Sequence, residues 1–227
     1  MSSPVIVALD LEPSDSISLA NKLNPDYCKL KIGSQLFTTG GPKVITQLNE
    51  LGFDIFLDLK FHDIPNTVYQ AINSCISQNV WMINIHASGG KEMLKAAHKA
   101  VNNAQKKTLL VGVTVLTSLD ESSIKEIGFK SNIADQVSTL ARLCKDQKLD
   151  GVVCSPNEVL SLRKEFGEDF VLVCPGIRSQ DSPSSDQKRI ASPSVTIQNG
   201  ADYIVIGREI TLDSNPLKKL KEILDRI

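Results

Sequence analysis

Between residues 58 and 67 the chain reads Asp58-Leu59-Lys60-Phe61-His62-Asp63-Ile64-Pro65-Asn66-Thr67. Two carboxylates there bracket an ammonium. Side chains in an extended strand alternate between faces, so Asp58 and Lys60 share one face while Leu57 and Leu59 take the other. An ammonium placed this way can stabilise a developing negative charge and then give up a proton. The same pair can also be a purely structural ion pair, and D-x-K-x-x-D alone is a spacing that arises by chance. Other polar groups close other apolar runs: Asp10, Lys31, His86, Thr117 with Ser118, and Gly207 with Arg208. Charges beside a packed core must be paired or must meet a charged ligand. The set therefore predicts a polar site for a small charged molecule.

Eight short apolar runs would have to carry these groups. They lie at 5–9, 28–32, 55–59, 80–85, 109–116, 151–154, 171–174 and 203–206. Most are rich in β-branched residues, as fully buried parallel strands require. Helical patterns separate them, at 15–23 behind a Ser14 cap, 41–51, 68–76, 91–101, 133–144, 159–166 and 217–227. Val44, Ile45, Leu48 and Leu51 make one apolar stripe, and Gly52 and Gly200 stand where helices should end. Strand and helix alternate eight times without a break in composition. This predicts one α/β domain over residues 1–227, a single (β/α)8 TIM barrel. An open doubly wound sheet fits less well, since the first turn lacks G-x-G-x-x-G. Barrel sites lie at the C-terminal ends of the strands, where the polar groups above fall. A polar segment at 178–193 breaks the rhythm after the seventh strand. It reads either as a lid over the site or as a surface excursion.

Bulk properties remove several function classes. The 227 residues are 41% hydrophobic with a formal net charge of −1 and no basic stripe, so neither nucleic acid nor an anionic membrane is an expected partner. No apolar run nears the ~18 residues of a membrane helix, and the first residues do not read as a signal peptide. Cys28, Cys75, Cys144, Cys154 and Cys174 are odd in number and widely spaced, without C-x-x-C. That argues against a disulfide framework or a zinc site and for a reduced, cytoplasmic chain. His62, His86 and His98 fit no metal spacing. His86 is read as a hydrogen-bonded structural group ahead of a ligand or base.

The motifs resemble the orotidine 5'-phosphate decarboxylase family, nearly end to end. Beside the 58–67 segment, the resemblance rests on Val7-Ala8-Leu9-Asp10, Lys29-Leu30-Lys31-Ile32-Gly33, His86-Ala87-Ser88-Gly89-Gly90 and Val113-Thr114-Val115-Leu116-Thr117-Ser118. Pro175-Gly176-Ile177-Arg178, Asp186-Gln187-Lys188-Arg189 and Ile206-Gly207-Arg208 continue it. Departures are small: Glu209 stands where many relatives have proline, and Ser192 where threonine is common, neither at a position expected to carry chemistry. The resemblance implies decarboxylation of orotidine 5'-phosphate to uridine 5'-phosphate and CO2, the last step of de novo UMP synthesis, without cofactor or metal.

It also implies roles. Lys60 would protonate C6 of the pyrimidine and Asp58 would face the scissile carboxylate. Lys31 and Asp63 would complete an alternating Lys-Asp-Lys-Asp array. Asp10 and Lys31 would hold ribose hydroxyls, and Thr117 and Ser118 would meet the base. Gln187, Arg208 and the Gly207 N–H would hold the phosphate, with Arg178 at the base of the lid. The chain would be a homodimer in which Asp63 and Thr67, with Ile64 beside them, complete the neighbouring site. Two rivals remain: a metal-dependent sugar-phosphate lyase or epimerase on a related barrel, and a non-catalytic barrel that binds phosphate ligands. Ile64-Pro65-Asn66-Thr67 favours the nucleotide enzyme over the first, and the presence of both Lys60 and Asp58 counts against the second.

Overall fold

A computed structural model describes residues 3–105, 107–178 and 191–227. Its eight strands are β1 (Val5–Ala8), β2 (Lys29–Gly33), β3 (Ile55–Phe61), β4 (Met82–His86), β5 (Leu109–Val113), β6 (Gly151–Val153), β7 (Val171–Cys174) and β8 (Tyr203–Ile206). All neighbours pair in parallel, in chain order, and β8 returns to β1 to close the barrel. The expected (β/α)8 architecture is therefore present. The fifth run stops as a strand at Val113, and Thr114–Leu116 belong to the loop above it.

Side-chain alternation divides the apolar residues into two cores. Ile6, Ala8, Phe56, Met82, Val111, Val173 and Val205 fill the barrel interior. Val5, Val7, Leu30, Ile32, Leu57, Ile83 and Ile85 point outward to the helices. The N-terminal end is filled by Trp81 and Tyr203 packed edge to face, ring centroids 5.1 Å apart. The Lys29 ammonium lies 5.1 and 5.3 Å from those rings and donates to the Ser3 carbonyl at 2.9 Å. Burial pushes its pKa down, while Asp54 acts in the opposite sense. That end is thus packed rather than hollow, as small barrels require.

Helices wrap the outside: α1 (Pro13–Ala20), α2 (Ser34–Gly40), α3 (Pro42–Glu50), α4 (Pro65–Ile76), α5 (Gly90–Asn102), α6 (Glu121–Glu126), α7 (Ile133–Asp146), α8 (Val159–Phe166), α9 (Pro193–Gln198), α10 (Arg208–Thr211) and α11 (Pro216–Leu224). Ser14 does not cap the first of them. Helix α1 starts two residues earlier than expected, at Pro13, with Glu12 in the cap position and no side-chain cap bond. Proline suits a first helical position because its missing N–H would be unpaired there anyway. Gly200 ends α9 as expected, with φ of 105° and its N–H donating to the Ile197 carbonyl. All five cysteines are free and buried, and burial raises the Cys28, Cys75 and Cys144 thiols to about 12.

Candidate active site

The C-terminal ends of the strands open into a cavity of about 240 Å³. Asp10 follows β1, Lys31 stands on β2, and Asp58 and Lys60 stand on β3; all four line it. They form one chain of charges. Lys31 Nζ donates to Asp10 Oδ1 at 3.1 Å and lies 3.4 Å from Asp58 Oδ2. Lys60 Nζ donates to Asp58 Oδ1 at 2.7 Å. The connected order in this chain is thus Asp10–Lys31–Asp58–Lys60. Asp58 and Lys31 are buried, whereas the Lys60 side chain is 35% exposed and reachable from the cavity. Gly33 makes room for the array, since a Cβ there would come within 3.0 Å of Lys31 Nζ.

Strand β3 does not reach Lys60 by simple alternation. Leu57 pairs with Ile83, and the next register point pairs Phe61 with Ile85. Three residues of β3 therefore stand against the single residue Asn84 of β4. Within this bulge Lys60 takes a left-handed φ of 52°, a conformation that non-glycine residues adopt at a cost. Bulges beside active sites re-aim side chains in this way.

Asn84 was not among the residues singled out from sequence. It is fully buried inside the barrel. Its Oδ1 accepts the Lys60 backbone N–H at 2.8 Å, and its Nδ2 donates to Asp58 Oδ1 at 2.6 Å. A backbone N–H can only donate, so the amide orientation follows from its partners. The available signal was alternation: within Met82-Ile83-Asn84-Ile85-His86, Asn84 falls on the same face as Met82, toward the interior.

His86, at the end of β4, is half-buried. Among the described residues its imidazole makes no hydrogen bond, contrary to the expectation of a hydrogen-bonded structural group. Its ring lies 5.3 Å from that of His62. Burial, His62 and Lys60 push its pKa down, and Asp58 opposes them. Among the described residues, no group of three or more His, Cys, Asp and Glu side chains could hold a metal ion.

Thr117 beyond β5, Arg178 beyond β7, and Gly207 and Arg208 beyond β8 also line the cavity, as the sequence suggested, and so does Glu209, which it did not single out. Among the described residues, the charged side chains lining the cavity are four cations (Lys31, Lys60, Arg178, Arg208) and three carboxylates (Asp10, Asp58, Glu209). Ser118 is exposed and does not line it. Asp63, Ile64 and Thr67 are likewise exposed and outside the cavity. Asp63 Oδ1 accepts the Ile64 N–H at 2.6 Å, and Ile64 is 66% exposed. Gln187 and most of the 178–193 segment lie outside the described residues.

Fold and site together define a (β/α)8-barrel protein with a lysine–carboxylate array across its catalytic mouth. The chain belongs to the orotidine 5'-phosphate decarboxylase / HUMPS family, whose sequence profile matches residues 3–223. It is 48% identical to an orotidine 5'-phosphate decarboxylase of Marinomonas sp., covering 97% of this chain and 94% of the relative. An orotidine 5'-phosphate decarboxylase of Actinobacillus succinogenes is also 48% identical, with 98% and 97% covered. The crystal structure of orotidine 5'-phosphate decarboxylase from Lactobacillus acidophilus superposes with a TM-score of 0.88 at 36% identity, covering 99% of each chain.

Proposed function

We propose that the chain, acting as a single catalytic domain, decarboxylates orotidine 5'-phosphate to uridine 5'-phosphate and CO2. The observation that carries the reading is the Asp10–Lys31–Asp58–Lys60 array lining a cavity at the mouth of this family's barrel. Loss of CO2 leaves an electron pair on C6, an sp2 carbon that no ring carbonyl delocalises well. A preorganised cation at that carbon stabilises the pair. Lys60 supplies the cation and then transfers a proton from Nζ to C6. Asp58 holds and aims the ammonium through its 2.7 Å contact. Asp10 and Lys31 take ribose hydroxyls, Thr117 takes the base, and Arg208, the Gly207 N–H and Gln187 take the phosphate, with Arg178 nearby. Among the described residues the cavity lining holds more cations than carboxylates, which supports an anionic substrate of this kind. The lid role of 178–193 belongs to the same reading.

Asp63, Ile64 and Thr67 serve the neighbouring subunit of a homodimer. Their exposure, and an isoleucine standing in solvent just beyond the catalytic strand, supports this reading. Five free cysteines support a reducing, cytoplasmic setting. No helix of the described residues is long and apolar enough to cross a membrane.

The primary test is the ultraviolet change of orotidine 5'-phosphate on decarboxylation, measured in excess chelator. Turnover unchanged by chelator is expected. Loss of turnover restored by magnesium would move the chain to the metal-dependent sugar-phosphate enzymes. A second expected outcome concerns Arg208→Ala. Charge-assisted hydrogen bonds contribute about 1.5–3 kcal/mol, so the variant should bind uridine 5'-phosphate roughly 10- to 100-fold more weakly. Binding of unphosphorylated uridine should not change. Calorimetry on both ligands decides it, and equal losses on both would remove Arg208 from the phosphate.

A further inference from the structure

Lys60 owes its position to backbone geometry that β3 cannot hold by itself. The bulge opposite Asn84 interrupts the β3–β4 ladder between Leu57 and Phe61. The Lys60 N–H thus has no strand partner at the point where its φ is left-handed. A buried donor left unpaired is destabilising, and a left-handed φ on a non-glycine residue adds to that cost. Asn84 meets both demands. Its side-chain oxygen takes the Lys60 N–H in place of the missing ladder bond. Its amide nitrogen simultaneously holds Asp58 Oδ1, the atom that also receives the Lys60 ammonium. With Lys31 near Oδ2, both oxygens of the Asp58 carboxylate are held.

We propose that Asn84 is a positioning residue for decarboxylation, one amide that fixes the Lys60 backbone and the Asp58 carboxylate together and so sets where the Lys60 ammonium points. Aspartate in its place would keep the acceptor but present an anion to Asp58. Leucine would keep the approximate size and lose both bonds. Glutamine would move the amide outward by a methylene and fit neither partner. The inference rests on the decarboxylase reading.

The test compares wild type, Asn84→Leu and Asn84→Asp by kcat, by uridine 5'-phosphate affinity and by the pH dependence of kcat. A misplacement near 1 Å at a reacting group costs on the order of 100-fold in rate. Asn84→Leu is expected to lose about that much kcat, with product affinity within about threefold of wild type because ribose and phosphate contacts lie on other strands. In Asn84→Asp the new carboxyl abuts Asp58, with Lys60 across the bulge, Lys31 beyond Asp58 and His86 two residues on. Two carboxylates at hydrogen-bond distance share a proton. The protonated pair restores a donor, so kcat should approach wild type at low pH and fall through a new inflection as pH rises.

Wild-type kcat in Asn84→Leu, or a kcat loss matched by an equal loss of product affinity, would overturn the proposal. So would an Asn84→Asp profile parallel to that of wild type, at full or reduced rate. If the leucine variant does not fold, the aspartate profile decides. Failure of the wild-type enzyme to turn over orotidine 5'-phosphate would instead count against the functional reading, so the two failures are distinct.

Discussion

Lys60→Ala is expected to remove nearly all decarboxylation while leaving nucleotide binding largely intact. The substitution deletes the proton donor and the cation at the developing charge together. General acid catalysis contributes typically about 10²–10⁴-fold, and one preorganised electrostatic donor about 10²–10³-fold. The loss in kcat should therefore reach roughly 10⁴-fold or more, which is about 5.5 kcal/mol of barrier. The array left behind is not empty of charge: Asp58 keeps Lys31 near Oδ2 and Asn84 on Oδ1. The groups assigned to ribose and phosphate, Asp10, Gly207 and Arg208, sit at the ends of β1 and β8. Product affinity should thus move by less than an order of magnitude, a small loss beside the rate effect. Rapid-quench or ultraviolet kinetics at saturating substrate, with product binding measured separately, checks both parts. A variant with near-normal kcat would remove Lys60 from the chemistry and return the Asp58–Lys60 contact to a structural ion pair.

Where the sequence was legible, the reason was physical. Fully buried parallel strands must be apolar on both faces, so runs such as Val5–Ala8 and Tyr203–Ile206 stand out from the helices around them. The polar residues that end those runs were legible as site candidates because a barrel has one functional end. Asp10, Lys31, Asp58, Lys60, Thr117, Arg178, Gly207 and Arg208 do converge there. Short elements were not legible. Helices α2, α6, α9 and α10 span seven, six, six and four residues, too few turns for an apolar period to show. The bulge at Lys60 was also hidden, since strict alternation and a bulge can leave the same residues on the same face. Asn84 was missed for a related reason. A single polar residue within an apolar run shows no partner until the facing strand is in place, and its partners Asp58 and Lys60 lie 26 and 24 residues away. His86 had the converse problem: its neighbour His62 suggests nothing by spacing, and only the fold brings the two rings together.

Mixing two inactive variants is expected to restore activity if Asp63 works across a dimer interface. Within its own chain Asp63 does not line the cavity, and its carboxylate is turned to the Ile64 N–H. It lies just past β3, in a stretch from His62 to Thr67 that is exposed throughout. A two-fold dimer makes any such contact reciprocal, so each chain would both donate and receive an Asp63. One variant carries Lys60→Ala and keeps Asp63; the other carries Asp63→Ala and keeps Lys60. Each homodimer then lacks one essential group at both of its sites. In the heterodimer, the site built on the second chain's Lys60 receives the first chain's Asp63 and is whole, while the other site lacks both groups. Equal mixing with free exchange makes half of the dimers mixed, and half of their sites intact, so recovery should approach about a quarter of the wild-type rate. If Asp63 instead acts within its own chain, neither site of the heterodimer is complete and mixing adds nothing to the parents. Activity is followed after subunit exchange, with heterodimer formation verified by differently tagged chains and native mass spectrometry. Heterodimers that are present yet inactive, from parents each confirmed inactive, would refute the shared site and leave Asp63 as a surface residue of its own chain.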